Sequence, residues 1–114
     1  MALYQYQARV LRVIDGDTVQ LDVDFGFDVR QRMTVRLYGI NAPEMNTPEG
    51  KAAKMHLAML IVEGMVLELQ TLKDKREKYG RYLAVLMLKM PGPDGRVNVN
   101  QMMVEDGHAV PYMI

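Results

Sequence analysis

Residues 17–24 read Asp-Thr-Val-Gln-Leu-Asp-Val-Asp, with Val19, Leu21 and Val23 falling on one side of an extended chain. Alternation of this kind marks a strand with one buried face. It directly follows Asp15-Gly16, a pair that favours tight turns. The stretch before that turn, residues 4–14, is rich in Tyr, Val, Leu and Ile, so the two segments are expected to form a hairpin. In the earlier segment Val10, Arg12 and Ile14 do not alternate cleanly with Leu11 and Val13, which predicts burial on both faces toward its end.

Further elements follow in order. Residues 25–31 read as a turn or edge excursion, and residues 32–40 as a third strand carrying Met33, Val35 and Leu37 on one face. Arg36 falls on the opposite face, pointing into solvent or into a cleft. Asn41-Ala42-Pro43 stops this strand. Thr47-Pro48-Glu49 is a helix start: a capping hydroxyl, a proline in the first turn and an acid beside the positive end of the dipole. Ala52, Met55, Met59 and Val62 then recur at helical spacing, and Gly64 is expected to end the helix. Residues 65–72 and 81–89 are the fourth and fifth strands, and Pro91-Gly92-Pro93-Asp94-Gly95 is a turn. Asn98 or Asn100 caps a short second helix through Met102, Met103 and Val104, ended by Gly107. A helix between the third and fourth of five strands is the layout of an OB-fold: mainly β with helices (α+β), a five-stranded Greek-key barrel.

Composition bounds the rest. A chain of 114 residues, 49% hydrophobic and 25% charged, suits one globular domain spanning residues 1–114. Its 14 basic and 14 acidic residues give a formal net charge of zero, which argues against a general nucleic-acid coat protein. The basic residues are not evenly spread, however, and gather at Arg30, Arg32 and Arg36 and again at Lys73, Lys75, Arg76, Lys78 and Arg81. No cysteine is present, so disulfides and thiolate metal sites are excluded. The start, Met1 to Tyr6, lacks the basic and apolar regions of a secretory leader, and no stretch approaches the ~20 apolar residues of a membrane helix. The expectation is a cytoplasmic protein of bacterial or phage origin with no membrane partner. The 11 methionines, among them Met55, Met59, Met65, Met102 and Met103, are read as adaptable core filling. His56 is expected at a surface or boundary, and His108 has no obvious acidic partner nearby in the chain.

Four separated segments carry chemistry: Asp15-Gly16-Asp17-Thr18, Arg36, Asn41-Ala42-Pro43-Glu44 and Lys78-Tyr79-Gly80-Arg81. Together they offer hard oxygen ligands, a carboxylate base and two guanidiniums, the mixture required to hold and cleave a phosphodiester with a divalent ion. Each has a plainer reading as a hairpin turn, an exposed strand arginine or a solvated loop. Asp17 resists it most, because aspartate is disfavoured at the start of a strand.

The blocks Val13–Val19, Val35–Glu44 and Lys78–Ala84, with the ending Val99–Ala109, resemble the signature segments of the staphylococcal nuclease (thermonuclease) family, in the same order over nearly the whole chain. The resemblance implies an OB-fold barrel and calcium-dependent hydrolysis of DNA and RNA, leaving 3′-phosphate ends. By position it implies Asp17, Asn41 and the Ala42 carbonyl as metal ligands, and Glu44 as the group that holds or deprotonates water. It also implies Arg36 and Arg81 on the scissile phosphate, Lys78 and Tyr79 on a neighbouring phosphate, and Tyr112 in the nucleotide pocket. Asn41 departs from the family's usual aspartate, so weaker calcium binding or wider tolerance of divalent ions is expected. The long terminal helix of many members is not present after Tyr112, and a second copy of the chain is the expected cover for the apolar patch this leaves. The alternative is a non-catalytic module of the same family that binds nucleic acid or peptide with impaired metal binding.

Overall fold

The computed structural model describes residues 3–76, 81–92 and 95–112, with side chains described for these except residues 3, 4 and 72–76. Five long strands make the framework: β1 (Leu3–Asp15), β2 (Thr18–Asp24), β3 (Arg30–Leu37), β5 (Val66–Arg76) and β6 (Tyr82–Lys89). They run in the spatial order β3-β2-β1-β5-β6, and a parallel pairing of β3 with β6 closes the barrel. The short strand β4 (Ile40–Asn41) pairs with β8 (Val110–Pro111), and β7 (Arg96–Asn98) extends the sheet beyond β6. Helix α1 (Pro48–Leu60) sits between the third and fourth barrel strands, and α2 (Val99–Glu105) follows β7. The OB-fold arrangement expected from the element order is therefore present.

The β2 alternation is realised fully: Val19, Leu21 and Val23 are buried in the barrel with Val35, Leu37, Leu69 and Leu86. The broken alternation in β1 has a different cause from the one expected. Leu11, Val13 and Ile14 are only half-buried, and the register of β1 on β2 shifts between Val10 and Arg12 and again between Val13 and Asp15. Two irregularities of the bulge type, rather than burial on both faces, explain the pattern. The third strand is also shorter than expected. It stops at Leu37, because Gly39 takes a left-handed φ of 81° and the chain turns before resuming as β4.

Helix α1 begins as read from the sequence, with the Thr47 hydroxyl accepting from the Gly50 N–H at 3.0 Å. It ends at Leu60, four residues before Gly64, which instead turns the chain toward β5 with φ 86°. Its buried face is Gly50, Ala53 and Leu57, continued by Ile61. Met55 and Met59 are 67% and 74% exposed, so the reading of these two as core filling is corrected; Met103 does lie in the core.

Asn98, not Asn100, caps α2, by accepting from the Gln101 N–H at 3.1 Å. Asn100 is buried and does something else. Its Nδ2 donates to the carbonyls of Tyr38 (3.0 Å) and Ala84 (2.9 Å), and its Oδ1 accepts from the Leu86 N–H at 3.2 Å. One side chain thus ties α2 to β6 and to the turn where β3 ends. Replacing it removes these bonds and leaves the buried Leu86 N–H and the partly buried Tyr38 carbonyl without the partner that Asn100 gives them. Asn100→Ala is expected to lower unfolding free energy by ~3 kcal/mol, read as a lower midpoint in urea with an unchanged slope.

Candidate active site

The β1–β2 turn, the end of β3 and the segment after β4 meet at one end of the barrel. Asp17 lies in the turn just before β2 and is 8% exposed. Its Oδ2 accepts from the Ala42 N–H at 2.8 Å and its Oδ1 from the Thr18 hydroxyl at 3.1 Å. The Asp17 N–H donates to Asp15 Oδ1 at 3.0 Å, which fixes the turn. Gly16 is required there by space: a Cβ on it would stand 2.7 Å from the Ala42 Cβ and 2.8 Å from the Ala53 Cβ. The turn is wedged between the Ala42 segment and the inner face of α1.

Arg36, although on the opposite side of β3 from Val35 and Leu37, is also buried, at 8% exposure. Its Nη1 donates to the carbonyls of Leu37 (3.1 Å) and Ile40 (2.9 Å), and its Nη2 donates to Asn41 Oδ1 at 2.9 Å. The same nitrogen lies 3.4 Å from Asp17 Oδ2. The Tyr112 ring packs against the guanidinium at 5.7 Å, held near by its own N–H donating to the Gly39 carbonyl at 2.8 Å. Arg81 donates from Nη1 to the Thr18 hydroxyl at 3.1 Å, so one hydroxyl links the second guanidinium to Asp17.

Asp17, Asn41, Ala42, Arg36, Arg81 and Tyr112 are therefore gathered in one place. Glu44 lies on the exposed loop entering α1, where its carbonyl accepts from Thr47 and its carboxylate has no hydrogen bond or ion pair among the described residues. Lys78 and Tyr79 fall outside the described residues. Thr18 belongs to the first of the four segments but carries no role of its own in the sequence, because a threonine in a strand gives no local sign of a partner 63 positions away. The histidines also find partners invisible in the chain order: His56 Nε2 meets Asp106 Oδ2 at 2.7 Å, and His108 stacks on His56 with ring centroids 4.3 Å apart. A cleft of about 190 Å³, lined by Asn41–Pro43 and Gly107–Val110, runs between this pair and the site.

Burial pushes the Asp17 carboxyl above its ordinary value, aided by Asp15, against the lowering effects of the Ala42 N–H and Arg36. The candidate ligands Asp17, Asn41 and the Ala42 carbonyl are all hard oxygens, a donor set that suits calcium or magnesium. Asn41 Oδ1 and both Asp17 oxygens already accept protein donors, but each retains acceptor capacity. Among the described residues no group of three His, Cys, Asp or Glu side chains is placed to hold a metal ion. A cation here would rely on few charges, and it would favour the ionised form of a carboxyl that burial disfavours.

The family model for staphylococcal nuclease homologues matches residues 34–114. The chain belongs to this family. Among curated relatives, the micrococcal nuclease of Shigella flexneri is 34% identical over 110 residues, covering 94% of this chain and 59% of the relative. Protein ParB of Escherichia coli is 35% identical over 113 residues, covering 95% and 58%. The thermonuclease of Staphylococcus intermedius is 42% identical over 89 residues, covering 69% and 47%. The chain thus spans between 47% and 59% of the length of these three proteins. No helix among the described residues is long and apolar enough to cross a membrane.

Two outcomes are expected. Gly16→Ala forces the turn away from Ala42 and Ala53, and it should lower stability by ~1–3 kcal/mol in denaturant titration. The second concerns pH. A folded-state pKa raised above the unfolded value favours the protonated form, so the stability from Asp17 is present at acid pH and is lost as pH rises through the shifted value. With EDTA present, the melting temperature of the parent minus that of Asp17→Asn should fall as pH rises from below the ordinary aspartate value of 3.8 toward neutrality. A difference that stays flat or grows would contradict the direction of the shift.

Proposed function

We propose that this chain is a calcium-dependent nuclease domain that hydrolyses phosphodiester bonds in DNA or RNA and leaves 3′-phosphate ends. The observation that carries this reading is the cluster of Asp17, Asn41 and Ala42 against the Arg36 guanidinium, with Arg81 one hydroxyl away. The nuclease names of its relatives in Shigella flexneri and Staphylococcus intermedius point the same way. Asp17, Asn41 and the Ala42 carbonyl would hold the ion. Bound there, it would supply Lewis-acid polarisation of the phosphate.

The chain's own residues do the rest. Arg36 and Arg81 meet the charge that builds on the equatorial phosphoryl oxygens. Arg36 keeps Nε–H for this, because its described hydrogen bonds all leave from Nη1 and Nη2. Glu44, exposed and unpaired among the described residues, orients or deprotonates the water that attacks in line. The bond from phosphorus to the 5′ oxygen breaks and the phosphate stays on the 3′ side. Lys78 and Tyr79 contact the neighbouring phosphate, and Tyr112 lines the nucleotide site. Nucleic acid is the partner in either strand chemistry.

A binding module without catalysis has one observation in its favour. Four of the Arg36 donor contacts are already taken by carbonyls, Asn41 and Asp17, and Asn41 brings no charge. Incubation with single-stranded DNA separates the two readings. Cutting is expected with calcium, absent with EDTA, and reduced at least ~100-fold in Glu44→Ala. Binding without cutting at any calcium level would instead establish the module. In the same series Asn41→Asp should bind calcium more tightly by isothermal titration, and equal affinity would remove the amide as the limiting ligand.

A further inference from the structure

The proposed chemistry uses Arg36 and leaves Arg30 and Arg32, its neighbours in the first basic cluster, without a task. Side chains alternate along a strand, and cross-strand partners share a face of the sheet. The register of β2 on β3 pairs Thr18 with Arg36, Gln20 with Thr34, Asp22 with Arg32 and Asp24 with Arg30. These positions lie on the outer face of the barrel, because the intervening Val19, Leu21 and Val23 fill the core. The register of β1 on β2 adds Arg9 opposite Asp22 and Arg12 opposite Gln20. Between the β2–β3 turn and the candidate site, this face presents exposed Arg9, Arg12, Arg30 and Arg32 against half-buried Asp22 and Asp24. Arg30 answers both acids, at 2.9 Å from Asp22 and 3.7 Å from Asp24. Arg9 donates only to the Gly64 carbonyl, at 2.8 Å, so its charge is not balanced there. Arg12 and Arg32 make no hydrogen bond or ion pair among the described residues. Four arginines against two aspartates leave this face positive on a chain whose formal net charge is zero.

We propose that this face is a track for the sugar-phosphate backbone of the substrate strand beyond the bond that is cut. The identity of the polyanion rests on the nuclease reading of the site. Charge and continuity name the occupant. The row of outer residues runs directly into Arg36 and Thr18, and the Thr18 hydroxyl accepts from Arg81. A polyanion seated on those two guanidiniums therefore continues over Arg12 and Arg32. Arg30 and Arg36 are six strand residues apart, about 20 Å, which spans several nucleotides rather than one. Guanidiniums with free donors suit phosphate oxygens, and such contacts position a backbone without reading its sequence. The track thus favours long strands of any sequence over short ones.

Fluorescence anisotropy in EDTA isolates binding, with a labelled single-stranded DNA of about eight nucleotides as the probe. Arg12→Gln/Arg32→Gln, at exposed positions, should keep the parent's melting temperature. Its slope of log affinity against log salt should be shallower by about 1.4, at ~0.7 for each lost phosphate contact on a single strand. Affinity at low salt should fall about tenfold with it. Lys89→Gln removes an exposed charge from β6, two strands beyond β1, and should leave the parent's slope. Asp22→Asn releases Arg30 from its closer acid and should tighten binding, a gain that damaged folding does not produce. An unchanged slope in the double variant, a comparable loss per charge in Lys89→Gln, or weaker binding by Asp22→Asn would each overturn the track. The two readings also fail separately. Calcium-dependent cutting by the parent with an unchanged slope in the double variant removes the track and keeps the nuclease. A shallower slope with no cutting at any calcium level keeps the track and removes the catalysis.

Discussion

A guanidinium buried at the end of a small barrel is the constraint around which this structure is arranged. A charge taken out of water costs several kcal/mol unless a counter-charge and hydrogen bonds replace the lost solvation. Arg36 obtains both: two carbonyls at the end of β3, the amide oxygen of Asn41, and the Asp17 carboxylate. Those acceptors come together because the chain breaks at Gly39, which lets Ile40 and Asn41 fold back beside the strand they have just left. Asp17 in turn anchors the next residue through the Ala42 N–H. From there the order of assembly is set by close contact. Gly16 allows the turn to fit between Ala42 and Ala53, and α1 is seated as a consequence.

The parts of this arrangement that sequence reveals are those with a local signature. The β2 alternation, the Asp15-Gly16 turn and the Thr47 cap each express their conformation within a few residues, and each is found in the fold. The exposed side of α1 was misassigned for a physical reason. When a helix is apolar on two sides, periodicity selects the larger residues, Met55 and Met59, over the smaller inner set of Gly50 and Ala53. Close approach rewards small residues, and a hydrophobicity pattern undervalues them. The register shifts in β1 similarly distort an alternation that assumes a regular ladder. The candidate site was legible only as a set of motifs in order. No periodicity relates Asp17 to Ala42 or Thr18 to Arg81, and the supporting partners Thr18 and Asn100 look like ordinary polar residues until the strands are paired.

Charge balance connects this framework to the proposed chemistry. Asp15 and Asp17 stand in the turn, with Arg36 in contact with Asp17 and Arg81 reaching it through Thr18. An aspartate at position 41 would add a third carboxylate facing the same guanidiniums, whereas Asn41 leaves two acids against two bases. A site so nearly neutral has little field of its own with which to attract a cation, and burial, by raising the Asp17 carboxyl above its ordinary value, further disfavours the charge that would attract one. On the proposed reading, the phosphate substrate supplies the missing negative charge, and the ion and the nucleic acid strengthen each other's binding. By linkage, the coupling that tightens the ion in the presence of phosphate tightens phosphate in the presence of the ion by the same factor. On that proposed reading, the neutral amide at position 41 would make occupancy of the cation site depend more strongly on the substrate than a carboxylate there would.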